Sequence, residues 1–99
     1  MSRRSGEMTP PSGWREARIL ERINAIPEGF VRTYGDIDPA APRLVGRVLA
    51  SAQEDLPWHR VVRADGSVPM GAAQLARLRR EGVPFSGDRV HLAQARMPK

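Results

Sequence analysis

The first periodic stretch of the chain is "GWREARILERINAI". Trp14, Ala17 and Leu20, joined by Ile19, Ile23 and Ile26, recur there at spacings of three and four. That recurrence gathers apolar side chains on one side of a helix. Ser12 stands where a cap is needed and Glu16 falls in the first turn, so the predicted helix is capped by Ser12 and stopped by Pro27. "PEGF" then reads as a turn and "FVRTY" as a short extended piece. Thr33, followed three residues later by Asp36, resembles a capping box with Asp in place of Glu. It predicts a short helix, kept brief by Pro39 and Pro42. Pro42 suits the first position of a further helix, "PRLVGRVLASA", with Leu44, Val45, Val48, Leu49 and Ala52 on its apolar face. Arg43 and Arg47 share one side of that helix, with Arg43 in its first turn.

A short helix, a tight turn and a second helix carrying arginines form a helix-turn-helix candidate. Beyond it, Asp65-Gly66 reads as a turn between "RVV" and "SV", which predicts a small hairpin or wing. "GAAQLARLRREG" predicts a helix with Leu75 and Leu78 inward and Gly82 at its C-terminal cap. "RVHLAQ" is expected to add a last extended segment. Residues 1–11 mix Ser, Arg, Gly and Pro without periodicity and read as a disordered arm, with Arg3 and Arg4 solvated or in touch with DNA. The expected architecture is mainly α with a small β element, a winged helix-turn-helix-like domain over residues 12–97.

Composition narrows the chemistry. With no cysteine, disulfides, zinc-thiolate sites and thiol nucleophiles are excluded. No apolar run approaches membrane-spanning length and the start lacks the apolar core of a signal peptide. The expected setting is therefore soluble and cytoplasmic, on the nucleoid when bound to DNA, with no membrane partner. The net charge of +5 rests on fifteen arginines against the single lysine, Lys99. Guanidinium binds phosphate bidentately and stacks on bases, which fits a nucleic-acid partner. The codon bias of a GC-rich genome would produce the same balance.

In "PWHRVVRADG", His59 can pair with Glu81 if that loop packs on the following helix. Such a pair orients an imidazole to activate a nucleophile, yet the neighbouring residue is Trp58 and the serines are remote. His59 and His91 stand in different contexts and make a poor metal site, so no metal and no cofactor are expected. Trp58 is either core packing or a pocket wall. The second reading gains from its place beside His59 and Arg60, and from Trp14 as an alternative core aromatic. A base extruded from a duplex needs a flat apolar surface and hydrogen bonds at its edge, which this neighbourhood can offer. Tyr34 is either a packing residue or a phosphate contact.

Four ordered pieces, "IPEGFVRTYGDI", "APRLVGRVL", "PWHRVVRADGSV" and "REGVPFSGDRVHL", resemble the C-terminal domain of O6-alkylguanine-DNA alkyltransferases. The active-site signature of that family is Pro-Cys-His-Arg-Val; here it is Pro-Trp-His-Arg-Val, as in the alkyltransferase-like branch that lacks the acceptor cysteine. The resemblance implies that Arg43 is the finger that enters the base stack. It implies that Tyr34 helps rotate the phosphate beside the target nucleotide, and that the helix from Pro42 lies in the minor groove. Ala41 and Gly46 there allow close approach, and Arg47 shares the DNA face. His59 and Glu81 match the pair that activates the thiol in true alkyltransferases, and in this chain they have nothing to activate. Trp58 takes the acceptor position, where an indole is no practical nucleophile toward an alkyl ether.

The implied function is a non-enzymatic sensor that flips O6-alkylguanine out of double-stranded DNA. It would act as a monomer, with no catalytic residue, and direct the lesion to nucleotide excision repair proteins. A helix-turn-helix regulator without lesion specificity is the alternative, and an enzyme with another acceptor is a third possibility. Three departures from the family pattern stand out: a shortened segment between Gly35 and Arg43, "SAQED" in place of Asn-Pro, and a short stretch after Gly66. In that stretch Val68, Pro69 and Met70 are expected to form a smaller, more open lid, with Arg60 beside the pocket.

Overall fold

The computed structural model describes residues 13–51 and 55–98. Helix α1 spans Trp14–Asn24, and its N-cap is Gly13 in a left-handed conformation with no side-chain cap. The cap expected at Ser12 is thus corrected, because the helix starts one residue later; Ser12 itself, like the 1–11 arm and Ala52, lies outside the described residues. Ile19 and Ile23 are buried. Trp14, expected in the core, is instead 40% exposed with the Arg15 guanidinium 5.5 Å from its ring centroid. Ala17 is exposed as well. Both belong to the first turn, whose apolar side chains stay outside the core; burial begins at Ile19, and Ile26 joins the core from beyond the helix.

Strand β1, Arg32–Thr33, leads into α2, Tyr34–Ile37, through a complete capping box: Thr33 Oγ1 accepts from Asp36 N and Asp36 Oδ2 accepts from Thr33 N, each at 3.1 Å. The turn to α3, Pro42–Ser51, is built on Asp38. Its Oδ1 accepts from the amides of Ala40 and Ala41 at 3.1 and 3.2 Å, and the Arg15 guanidinium lies 3.3 Å away, tying α1 to the same turn. Val45, Val48 and Leu49 of α3 are buried, as the periodicity predicts.

After a single 3-10 turn at Trp58–Arg60 comes β2, Val61–Val62, parallel to β1 with Arg32 opposite Val61 and Thr33 opposite Val62. Consecutive strand residues point to opposite faces, so this two-residue strand divides the interior. Val61 belongs to a cluster with Ile19, Ile23, Ile26, Ile37, Val45, Val48, Leu49 and Leu56, and Val62 to another with Val31, Leu78, Val83, Val90 and Ala95. The expected pairing of "RVV" with "SV" is corrected: β2 pairs with β1. Asp65-Gly66 is nevertheless a turn, with Gly66 N donating to Arg63 O at 2.8 Å.

The antiparallel hairpin lies further on, between β3, Phe85–Ser86, and β4, Arg89–Val90. Between the Asp65-Gly66 turn and this hairpin lies α4, Ala72–Arg80. Its inward residues are Leu78 and Gln74, whereas Leu75 is only half-buried, which corrects the expected Leu75–Leu78 face. Gln74 is drawn in by hydrogen bonding: Nε2 donates to the carbonyls of His59 and Val61 at 3.1 and 2.7 Å, and Oε1 accepts from Met70 N at 2.9 Å. Gly82, φ +80°, ends α4 as predicted, with Gly82 N bonded to Arg79 O and Val83 N to Leu78 O in a Schellman pattern. The expected extended segment "RVHLAQ" is half correct, since β4 passes at once into helix α5, Leu92–Ala95. The chain then returns beside β1, with Met97 N donating to Val31 O at 2.8 Å. Among the described residues no helix is long and apolar enough to cross a membrane.

Candidate nucleic-acid interface

Helix α3 turns Val45, Val48 and Leu49 inward, and the 3.6-residue period therefore sends Arg43 and Arg47 outward, where both are exposed. Tyr34, at the start of α2, packs half-buried against the first core cluster and lies over Gly46. A methyl group added at Gly46 would meet Tyr34 Cε2 at 3.7 Å, an ordinary contact, so packing within the chain does not require glycine there. Burial raises the Tyr34 phenol above its ordinary value of 10, against the opposing charge of Arg63, so the hydroxyl remains a proton donor at neutral pH.

The 3-10 turn presents the second group of predicted residues. His59 is buried and its Nε2 lies 2.7 Å from Glu81 Oε2, as expected from sequence. The carboxylate can only accept, which puts the proton on Nε2. Arg60 completes the cluster: Nε and Nη2 donate to the two Glu81 oxygens at 3.0 and 2.8 Å, and Nη1 donates to Ile26 O at 2.8 Å. Burial pushes the Glu81 carboxyl up, but the hydrogen bonds from Arg60 and His59 outweigh it and hold the group at about 2. Arg60 is therefore spent on Glu81 and Ile26 and is not a free cation.

Trp58 stands edge-to-face to His59, ring centroids 5.8 Å apart. One side of it packs on the first core cluster, and the rest borders an open depression of about 460 Å³ lined by Asn24, Asp55, Leu56, His59, Arg60 and Arg77 among others. The Arg77 guanidinium lies 5.3 Å from the Trp58 centroid, within cation–π range. Sequence reasoning did not include Asn24 or Arg77. Arg77 had a local signal, since it sits one helical turn from Glu81. Asn24 had none. Of the expected lid, Val68 packs on the second cluster and borders a different depression with Leu75, Asp88 and Arg89, and Met70 is exposed. Trp58, His59, Arg60 and Glu81 are thus brought together, while Val68 belongs to another part of the surface.

The short α2, the Asp38-centred turn and α3 with its arginines outward, backed by a small hairpin, define a helix-turn-helix domain of the DNA-binding class. A family model described as the DNA-binding domain of 6-O-methylguanine DNA methyltransferase matches residues 15–83. The chain belongs to this family. A protein of Escherichia coli named "DNA base-flipping protein" is 43% identical over 82 residues, 72% of this chain and 64% of the relative, so the match spans less than two thirds of that protein. A Vibrio parahaemolyticus protein of the same name is 35% identical across 70% of this chain and 80% of its own length. Among solved structures, S. pombe Atl1 in complex with damaged DNA containing O6-carboxymethylguanine superposes with a TM-score of 0.78, covering 91% of this chain and all of the other at 23% identity. At that identity the likeness is one of fold.

Proposed function

We propose that the protein is a non-enzymatic reader of O6-alkylguanine in double-stranded DNA. In this reading α3 enters the minor groove, Arg43 fills the space left in the stack, and the extruded base is received against Trp58. The observation that supports it is the Trp58 ring at the edge of an open depression beside the His59–Glu81 pair, where the likeness of "PWHRV" to the family signature would put the acceptor. An indole offers a wall for an alkyl group but no thiolate to attack it, its nitrogen lone pair being delocalised into the ring, so recognition is separated from reaction. The names of the E. coli and Vibrio relatives and the Atl1 complex with damaged DNA support the same reading. A lesion held and not repaired has to be passed on, and excision of the damaged stretch by nucleotide excision repair proteins is the route that fits.

Two duplexes that differ only in O6-methylguanine against guanine, titrated at one salt concentration, test the reading. The expected preference for the lesion is about tenfold, the equivalent of about 1.4 kcal/mol. Equal affinities would end it. A footprint selective for an undamaged sequence would instead mark a helix-turn-helix regulator. An alkyl mass on the protein after incubation with alkylated DNA would mark an enzyme.

A further inference from the structure

We infer that Arg96 is a positioning residue for DNA binding: it grips Asp36 and thereby holds the short helix α2 in place against the groove helix α3. The inference rests on the DNA-reading function proposed above, and it gives a part in that function to a segment outside the helix-turn-helix.

Helix α2 is a single turn, Tyr34–Ile37. A helix that short has too few internal hydrogen bonds to stand alone, so its place is set by what holds its two ends. The C-terminal end is held from α1: Arg22 Nη1 donates to Ile37 O at 3.0 Å, and Arg15 Nη1 reaches Asp38 at 3.3 Å. The N-terminal end is held by Asp36, whose Oδ2 closes the capping box on Thr33 N. The same carboxylate is gripped from outside. Arg96 Nε donates to Oδ2 at 2.8 Å and Nη2 to Oδ1 at 2.5 Å, a two-point contact across sixty residues of sequence. The Asp36 side chain is only 2% exposed, which strengthens the pairing relative to one in open water. The hydrogen bonds from Arg96 are the largest cause holding that carboxyl at about 2, below its ordinary 3.8.

Arg96 acts from a fixed base. It is the C-cap of α5 and lies beside Val31, with Val31 N donating to Ala95 O at 2.9 Å and Met97 N donating to Val31 O at 2.8 Å. Val31 and Ala95 belong to the second core cluster, whereas Ile37 and Tyr34 of α2 pack in the first. The guanidinium thus reaches from one half of the interior to a helix seated on the other. The consequence for DNA follows from α3: the Tyr34 ring lies over Gly46, between Arg43 and Arg47. A rotation of α2 moves that ring against α3 and alters the surface the two helices present together. The Arg96 side chain is 42% exposed, so a direct contact with phosphate is the rival role.

Full-length protein, a fluorescently labelled lesion duplex and a series of salt concentrations separate the two, with Arg96→Ala, Arg96→Lys, Asp36→Asn and the Arg96→Ala/Asp36→Asn double variant, each checked for folding by far-UV circular dichroism. Folded Arg96→Ala is expected to bind about fivefold more weakly, the scale of a coupling between touching groups, with the slope of log affinity against log salt unchanged. Loss of a direct phosphate contact would instead lower the steepness by about 0.9. Asp36→Asn supplies the sign. It removes a negative charge and by charge alone would tighten binding to DNA, whereas loss of the Arg96 grip weakens it. The double variant should be within about twofold of the weaker single one, because both changes remove the same contact. Where Arg96→Ala does not fold, Arg96→Lys takes its place: it keeps the charge and loses the two-point grip, so binding about threefold weaker is expected. Wild-type affinity in the deciding Arg96 variant, a lowered salt slope, tighter binding by Asp36→Asn or additive losses in the double variant would overturn the inference and leave the proposed function standing. Equal wild-type affinity for lesion and plain duplex would end the lesion reading, and the same variants would then decide the inference on plain DNA.

Discussion

Replacing Glu81 by Gln keeps the shape of the side chain and removes only its charge. In the folded protein that carboxylate meets His59 Nε2 at 2.7 Å, Arg60 Nη2 at 2.8 Å, Arg60 Nε at 3.0 Å and, more weakly, Gly29 N at 3.4 Å. Its proton affinity measures what these contacts are worth. A carboxyl held at about 2 against an ordinary 4.5 corresponds to a ceiling of about 3 kcal/mol at pH 7. Solvent reaches part of the cluster, since the Glu81 and Arg60 side chains remain 14% and 16% exposed, and screening reduces the figure to about 2 kcal/mol. The folded-state value lies below the unfolded one. The stabilisation is therefore complete above pH 4.5 and is lost as the pH falls from there toward 2. At pH 3 more than half of it is gone. Urea denaturation followed by far-UV circular dichroism should place Glu81→Gln about 2 kcal/mol below the wild type at pH 7 and less than about 1 kcal/mol below it at pH 3. An equal penalty at the two pH values would show that the charge of Glu81 is not what stabilises the cluster.

Trp58→Ala should abolish most of the preference for lesion over plain duplex while leaving plain-duplex affinity within about twofold; parallel losses in the paired titration would give the ring a folding role instead. Arg43→Ala should weaken lesion binding by more than tenfold, because refilling the stack offsets an unstacking cost of a few kcal/mol, and unchanged binding would remove the arginine from the groove. Gly66→Ala should destabilise the protein by about 2 kcal/mol or more in urea, since φ is +85° and the new methyl would lie 2.5 Å from Val90 O; a neutral substitution would contradict that close approach. Gln74→Leu should cost about 3 kcal/mol, leaving the His59 and Val61 carbonyls and the Met70 amide without their partner, and a stabilised variant would refute the role given to that hydrogen-bonding.

The features legible in the sequence were those with a local cause. The Thr33–Asp36 box and Gly82 after α4 satisfy backbone groups within a few residues, Pro42 removes an amide that the first turn of α3 would leave unpaired, and each was found where expected. Pairings between distant segments were not legible. Two-residue strands such as Arg32–Thr33 and Val61–Val62 are too short to carry an alternation, so nothing local distinguished pairing across the molecule from a hairpin. The same limit explains Gln74, whose burial is set by two carbonyls on a segment more than ten residues away. Trp14 misled because hydrophobicity at helical spacing does not say where along the helix the core begins. At the site, Trp58, His59, Arg60 and Glu81 came from motif and spacing, whereas Asn24 reached the depression only through tertiary packing.

The His59–Arg60–Glu81 cluster has a structural use apart from any chemistry beside it, and its contacts explain why. Arg60 reaches the carbonyl of Ile26 where the chain leaves α1, and Glu81 reaches the amide of Gly29 in the following turn. Glu81 itself sits at the C-cap of α4, and His59 precedes β2, whose two residues divide the two core clusters. The cluster is thus a joint that ties the end of α1, the loop bearing Trp58 and the end of α4 to one another. No hydrogen bond of that joint runs through the side chain of Trp58. In the proposed reading, the cluster holds the loop in place while Trp58 serves as the wall. The same independence gives the two substitutions opposite signatures: Glu81→Gln should move stability with pH, and Trp58→Ala should move lesion preference at constant pH.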